Sequence, residues 1–205
     1  MLTERSIGLR ALRREDVETL HAQFDTDPAL HAVADITPWL PVPIEHALAQ
    51  FDRRLGEPPD PTAVEFAVQW LDDPGGKAIG SATVWGIDTH QRIAHFGLAL
   101  LAAARGKGAG REVLHALCRY AFEVRDLHRV QLETLGSNLA MQRAALAAGF
   151  VEEGRLRENA YVMGARDDDV IYGLLAATWR AARARPGTDG PAPAPPNDNA
   201  SMTTS

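Results

Sequence analysis

Arg105-Gly106-Lys107-Gly108-Ala109-Gly110 opens the run RGKGAGREVLHALCRYAFE, residues 105–123, and its reading decides the fold. The six residues lie between an apolar segment, 92–100, and a sequence with helical spacing, 111–125. Amides at a helix N-terminus lack intrahelical partners, and the helix dipole adds roughly +0.5 charge there. Glycines let such amides close on an anion without Cβ clashes, so the segment reads as a phosphate cradle. A Walker A loop requires Ser or Thr after Gly-Lys, and here Gly108 follows Lys107. A dinucleotide fingerprint counted from Gly106 places Arg111 where its last glycine belongs. Both readings fail. A plain glycine-rich strand-to-helix connection is the bland alternative.

Outward from the loop, His128–Leu135 reads as a strand. Strand, helix and strand form a βαβ unit, which makes 92–100 and 129–135 parallel neighbours. Upstream, Val64, Phe66, Val68 and Trp70 alternate with polar or small residues, and segments 77–87 and 92–100 follow across short turns. These three form an antiparallel meander. Ser6–Leu12 predicts a first strand and Glu15–Phe24 a first helix. Ile44, Ala47, Leu48, Phe51 and Leu55 share one helical face over 44–55. Between these helices, Pro38, Pro41 and Pro43 around Trp39 demand irregular backbone. Downstream, Asn138–Ala148 predicts a short helix, and 150–157 and 170–176 the last strands.

The register Arg105-x-x-Gly108-x-Gly110 matches the R/Q-x-x-G-x-G/A signature of the GNAT superfamily. From Ile93 to about Trp179 the chain resembles the RimJ/RimL-like branch of GNAT acetyltransferases. The loop and its helix, the following LHRV, the Asn138 helix ending at Gly149-Phe150, then EEGRLRE and DDDVIYGLL carry the likeness. The resemblance implies an α/β (α+β) GNAT fold. That fold has a mixed central sheet of about seven strands, a V-shaped notch between two parallel strands, and four helices.

The resemblance also implies chemistry. Acetyl-CoA is the expected cosubstrate, with no metal. Backbone groups of Leu98, Ala99 and Leu100 are expected to pair with the pantetheine amides, as an added strand does. Arg105, Gly106, Lys107, Gly108, Ala109 and Gly110 are expected to hold the pyrophosphate. Asn138 is either a pantetheine contact, as in the family, or an ordinary N-cap, or both. Many GNAT enzymes carry a basic glutamate ten residues before the loop arginine, and His95 stands there. An imidazole suits proton removal near neutral pH. Glu133 on the facing strand is the second candidate base, and the sequence does not say which faces enter the notch. Ala145 replaces the tyrosine that often protonates the leaving thiolate, and Met141 replaces a frequent serine. Tyr120 and Tyr161 are substitutes to consider. Glu158–Asp169 holds Glu158, Asp167, Asp168 and Asp169, either an amine-attracting lip or a solvated acidic turn.

Composition narrows the remaining classes. The 205 residues are 45% hydrophobic and 23% charged, with net charge −6. An acidic balance argues against nucleic acid and suits a cationic amine. No apolar run reaches the ~18 residues of a membrane span. The start MLTER lacks a secretory h-region, so the expected compartment is the cytoplasm. Seven histidines are scattered without ligand spacing. The single cysteine, Cys118, shares helical spacing with Val113, Leu117 and Ala121 and reads as core. Residues 1–184 form the expected acyltransferase domain, and the Pro/Ala-rich 185–205 is an expected disordered tail. The expected activity is acetyl transfer to a primary amine, either a protein N-terminus or a small molecule such as a polyamine or an antibiotic. A non-catalytic CoA-binding module is the alternative, and a homodimer is compatible with either.

Overall fold

In the computed structural model, which describes residues 1–34 and 37–184, alternation and turn chemistry generate a single mixed sheet. Its strands are β1 (Leu2–Thr3), β2 (Ile7–Arg10), β3 (Val64–Trp70), β4 (Ala78–Asp88), β5 (Ile93–Leu100), β6 (Arg129–Leu135), β7 (Val151–Val162) and β8 (Ala165–Leu175). They lie in the order β1-β2-β3-β4-β5-β6-β8-β7. All neighbours are antiparallel except β5 and β6, which are parallel. The helices are α1 (Arg14–Phe24), α2 (Pro28–Ala34), α3 (Ile44–Leu55), α4 (Ala109–Arg119), α5 (Leu139–Ala147) and α6 (Ala176–Arg183).

The expected GNAT architecture is present, with different counts among the described residues: eight strands for seven, and six α-helices for four. The additions are elements too short to show a period. β1 has two residues. α2 has seven and begins with Pro28, whose missing N–H is harmless in a first helical turn. α6, AATWRAAR, carries one large apolar residue, Trp179. The segment expected to connect the last two strands is itself strand. β7 and β8 form one long hairpin closed by Met163 and Gly164, both at positive φ (48° and 90°), as a two-residue primed turn requires. The tail reading at 185–205 lies outside the described residues.

One sheet face carries α4. Its residues Val113, Leu114, Leu117 and Cys118 are fully buried against β-strand residues such as Val84, Phe96, Val130 and Leu132. Each such aliphatic side chain contributes roughly 1.5–3 kcal/mol of burial. After Arg119 the helix widens into a π turn over Tyr120–Val124. The opposite face is covered more loosely. α1 buries Leu20, whereas α2 and α3 bury no residue completely. Room therefore remains between these helices and the sheet.

Candidate active site

Two parallel strands that pair only in part create the central feature. β5 and β6 are in register from Ile93↔Arg129 to Phe96↔Leu132. Beyond that point β5 stays with β4 as far as Leu100, and β6 stays with β8 as far as Leu135. The sheet thus forks between Gly97–Leu100 and Glu133–Leu135. Backbone alternation decides which groups line the fork. The Arg92 carbonyl accepts from the His128 and Arg129 amides on the β6 side, and the Leu101 amide donates to Ile79 on the β4 side. Even-numbered residues, Leu98 and Leu100 among them, therefore turn their amides and carbonyls toward the fork. The Ala99 carbonyl faces β4, so close to Gly80 that a Cβ there would collide with it.

The glycine loop sits at the end of β5, beyond a single 3-10 turn. Gly106 and Gly108 take φ values of 74° and 83°, and nothing lies within 4 Å of where their Cβ atoms would be. Gly108 is the N-cap of α4, without a side-chain cap. Left-handed backbone at both positions starts α4 in a loop with open space beside its glycines, and the helix N-terminus there is a setting suited to an anion. Gly110 differs: a Cβ there would meet Ala144, Leu98 and Leu100 at 3.6–3.9 Å, ordinary contact. Arg105, Gly106, Lys107 and Gly108 are exposed, and Ala109 is buried. The Arg105 side chain donates from Nε to the Leu100 carbonyl at 2.9 Å, tying the loop to the fork.

His95 and Glu133 lie on one face of the sheet, opposite α4. Ala94, Phe96, Val130 and Leu132 point to the α4 core, which sends their alternates to the other side. His95 stands beside Gln131 across the last paired stretch and stacks on Trp85 at 4.5 Å. Its Nδ1 is buried and has no hydrogen-bond partner. Glu133 is exposed, and its carboxylate accepts from Gln131 Nε2 at 2.9 Å. Gln131 in turn accepts from Arg129, which pairs with Glu153. The sequence reading missed Gln131. A third polar residue in alternation with Arg129 and Glu133 was the available signal.

Asn138 serves as N-cap of α5, its Oδ1 accepting from the Met141 amide at 3.2 Å. Tyr120 is a poor candidate for proton donation. It lies at the far end of α4, ~16 Å of helix from the glycine loop, where its hydroxyl meets Arg125 and its ring meets Phe66. Ala145 is fully buried in the core. The acidic hairpin residues are engaged structurally. Asp167 accepts from the Ser137 and Asp168 amides, Asp168 from the Glu158 amide, and Asp169 from Asn159. A hydrogen bond from the Ser137 side chain, followed by those from the Ser137 and Asp168 amides, holds the Asp167 carboxyl below its usual range against the opposing effect of burial. The Trp39 indole donates to the Asp25 carbonyl at 2.7 Å, closing the end of α1.

Between α1–α3 and the sheet lies a cleft of about 380 Å³ whose floor includes Gly97, Leu98 and Ala99 of the fork. Thr83 and Ser81 of β4 line the same floor. Gly97 has to be glycine because a Cβ would strike the Thr83 hydroxyl. No group of three or more metal-ligating side chains occurs among the described residues. No helix among them is long and apolar enough to cross a membrane.

A mixed sheet forked at its one parallel pair, with a glycine-rich helix start at the mouth of the fork, is the GNAT fold. The chain belongs to the GNAT acetyltransferase family, matching the "Acetyltransferase (GNAT) domain" over residues 6–151. It is 32% identical over 104 residues to the Bacillus subtilis (strain 168) protein named "Putative ribosomal N-acetyltransferase YdaF", covering 51% of this chain and 57% of that one. It is 28% identical over 98 residues to a Vibrio cholerae (serotype O1) spermidine N(1)-acetyltransferase, covering 48% and 57%. These matches span little more than half of each relative. Among solved structures, the spermidine N-acetyltransferase from Vibrio cholerae in complex with CoA and spermine superposes with a TM-score of 0.72. That similarity, at 22% identity over 85% of this chain and 98% of the other, is one of fold.

Proposed function

We propose that the protein is an acetyl-CoA-dependent N-acetyltransferase of RimJ/RimL-like type that transfers the acetyl group to a primary amine by direct attack. One observation carries the reading: the β5–β6 pairing ends at Phe96↔Leu132, and the sheet fork beyond it opens beside the left-handed glycine loop that starts α4. Gly106–Gly110 with Arg105 and Lys107 are suited to the pyrophosphate, and Leu98 and Leu100 to the pantetheine amides. Ala99 contributes to the floor of the cleft, and Asn138 orders the start of α5 beside the fork. The solved relative with bound CoA supports the choice of ligand.

Acetyl-CoA supplies an activated thioester. The transfer forms one amide C–N bond, breaks the C–S bond and leaves CoA as its thiol. The chain's own part is to place the amine on the face shared by the fork and the cleft and to take its proton. Glu133 and His95 occupy that face, and either can accept a proton directly or through water. Gln131 orients the Glu133 carboxylate. Backbone N–H groups left unpaired at the fork can polarise a carbonyl there. The proposed domain is 1–184 and the proposed compartment the cytoplasm. Self-association as a homodimer is part of the proposal, and a solved relative described as dodecameric supports it.

Thermal shift with acetyl-CoA tests the cofactor reading, and no shift at millimolar ligand sinks it. Free-thiol release on adding peptides with free N-termini, polyamines or aminoglycosides tests turnover. Binding without release on any amine favours the non-catalytic module, which the unusual His95 and Ala145 would suit.

A further inference from the structure

Resting on the acetyltransferase reading, we infer that the acceptor is an amine with a single positive charge on an apolar body, and not a polyamine. The cleft over Gly97–Ala99 is walled by Val17, Leu20, Phe24 and Phe51 from α1 and α3. α3 lines the cleft with Ala47 and Phe51 beside the polar Gln50 and Arg54, and it buries no residue completely. Ala47 and Phe51 thus stand half-exposed across from Val17, Leu20 and Phe24, beside a space that an apolar group can fill.

Charge in the cleft points the same way. Among the described residues lining it, two are carboxylates, and each already has a cationic or imidazole partner. Asp25 takes His21 Nδ1 at 2.8 Å, and Glu65 takes Arg54 at 3.2 Å. A polyamine presents several ammonium groups spaced along a chain, and each must leave water for a compensating carboxylate. The acidic residues of the β7–β8 hairpin are already engaged: Asp168 and Asp169 accept from Glu158 and Asn159 of the hairpin itself, and Asp167 accepts from the Ser137 amide between β6 and α5. An α-amine or arylalkylamine needs only its one ammonium, which loses a proton before attack. The rest of it gains from leaving water. The 380 Å³ cleft holds a side chain the size of phenylalanine with room for a flanking group.

The test measures kcat/KM by thiol release with acetyl-CoA on four acceptors: a hexapeptide beginning Phe-Leu, 2-phenylethylamine, spermidine and spermine. The expected result is that at least one apolar monoamine exceeds both polyamines by about 30-fold or more. The peptide and phenylethylamine arms tell a protein N-terminus from a small amine. Phe51→Ala should raise KM for the preferred monoamine about tenfold, leaving the acetyl-CoA thermal shift unchanged. Polyamines used as well as or better than the monoamines, or no turnover of any acceptor by protein that binds acetyl-CoA, overturns the inference. A missing acetyl-CoA shift sinks the acetyltransferase reading beneath it instead, so the two failures are distinguishable.

Discussion

Gly108 and Gly110 share a motif but answer to different constraints. Gly108 is held at φ 83°, where any side chain strains the backbone, and its open side faces the proposed phosphate position. Gly108→Val should abolish the acetyl-CoA thermal shift. Gly110→Ala places its methyl in ordinary contact with Ala144, Leu98 and Leu100, so the variant should keep acetyl-CoA affinity within about threefold. Isothermal titration of the two variants checks the contrast.

A second residue-scale prediction concerns Arg10 and Asp16. Asp16 is almost fully buried and takes two guanidinium bonds from Arg10, at 2.6 and 2.8 Å. Arg10 also reaches Gln69 on β3 and the Gly76 carbonyl in the β3–β4 turn. Burial pushes the Asp16 carboxyl up, but the Arg10 bonds and the Arg13 amide outweigh it, leaving the carboxyl below its usual 3.8. A carboxyl lowered by folding stabilises the fold above its unfolded value, and that contribution is lost as pH falls through the lower folded value. Asp16→Asn should therefore cost about 3 kcal/mol near pH 7, by leaving the guanidinium without its countercharge. The gap to the parent protein should narrow below about pH 4. Urea melts at the two pH values measure both.

At the scale of elements, the fork between β5 and β6 brings together what the strands hold separately. His95 and Glu133 come to one face because each strand sends its alternate residues into the α4 core. His95→Ala or Glu133→Ala should lower kcat while leaving acetyl-CoA affinity within about threefold. Loss of affinity in either variant would mean that the residue shapes the cofactor site. A pH–rate profile then separates them, since the acidic limb, where rate falls as the base becomes protonated, should move only in the variant lacking the true base. α4 supplies another element-scale prediction. Cys118 is fully buried on its core face, and burial pushes its thiol well above the ordinary range. Ellman's reagent should leave it unmodified in the folded protein and label it stoichiometrically in denaturant.

For the molecule as a whole, layers of unequal packing matter most. The α4 side of the sheet is sealed by a continuous apolar core, whereas α1–α3 leave a cleft over the fork. A cosubstrate entering the fork and an acceptor entering the cleft would meet at Gly97–Ala99 from two sides of one strand. A ligand bound only to the folded chain should raise its melting temperature in step with the logarithm of its concentration, and an acetyl-CoA titration by calorimetry measures this.

Much of this molecule was determined by sequence alone. Gly106 and Gly108 mark a loop that needs left-handed backbone, β3 to β5 alternate, and Val113, Leu117 and Cys118 keep helical spacing. These are local patterns, set by sterics and by the burial of one face. β1, α2 and α6 are too short for such patterns. The β7–β8 hairpin hides behind Asp167, Asp168 and Asp169, which look like a solvated turn until the amides they accept from are in place. Only the tertiary structure decided which face His95 and Glu133 share, that Ala99 turns its carbonyl to β4, and that Asp25 and Glu65 are already paired. Except for the Asp25–His21 pair at the end of α1, each of these depends on elements brought together by the fold. Register and packing fix them, and a local pattern records only that a residue alternates, not what it comes to face.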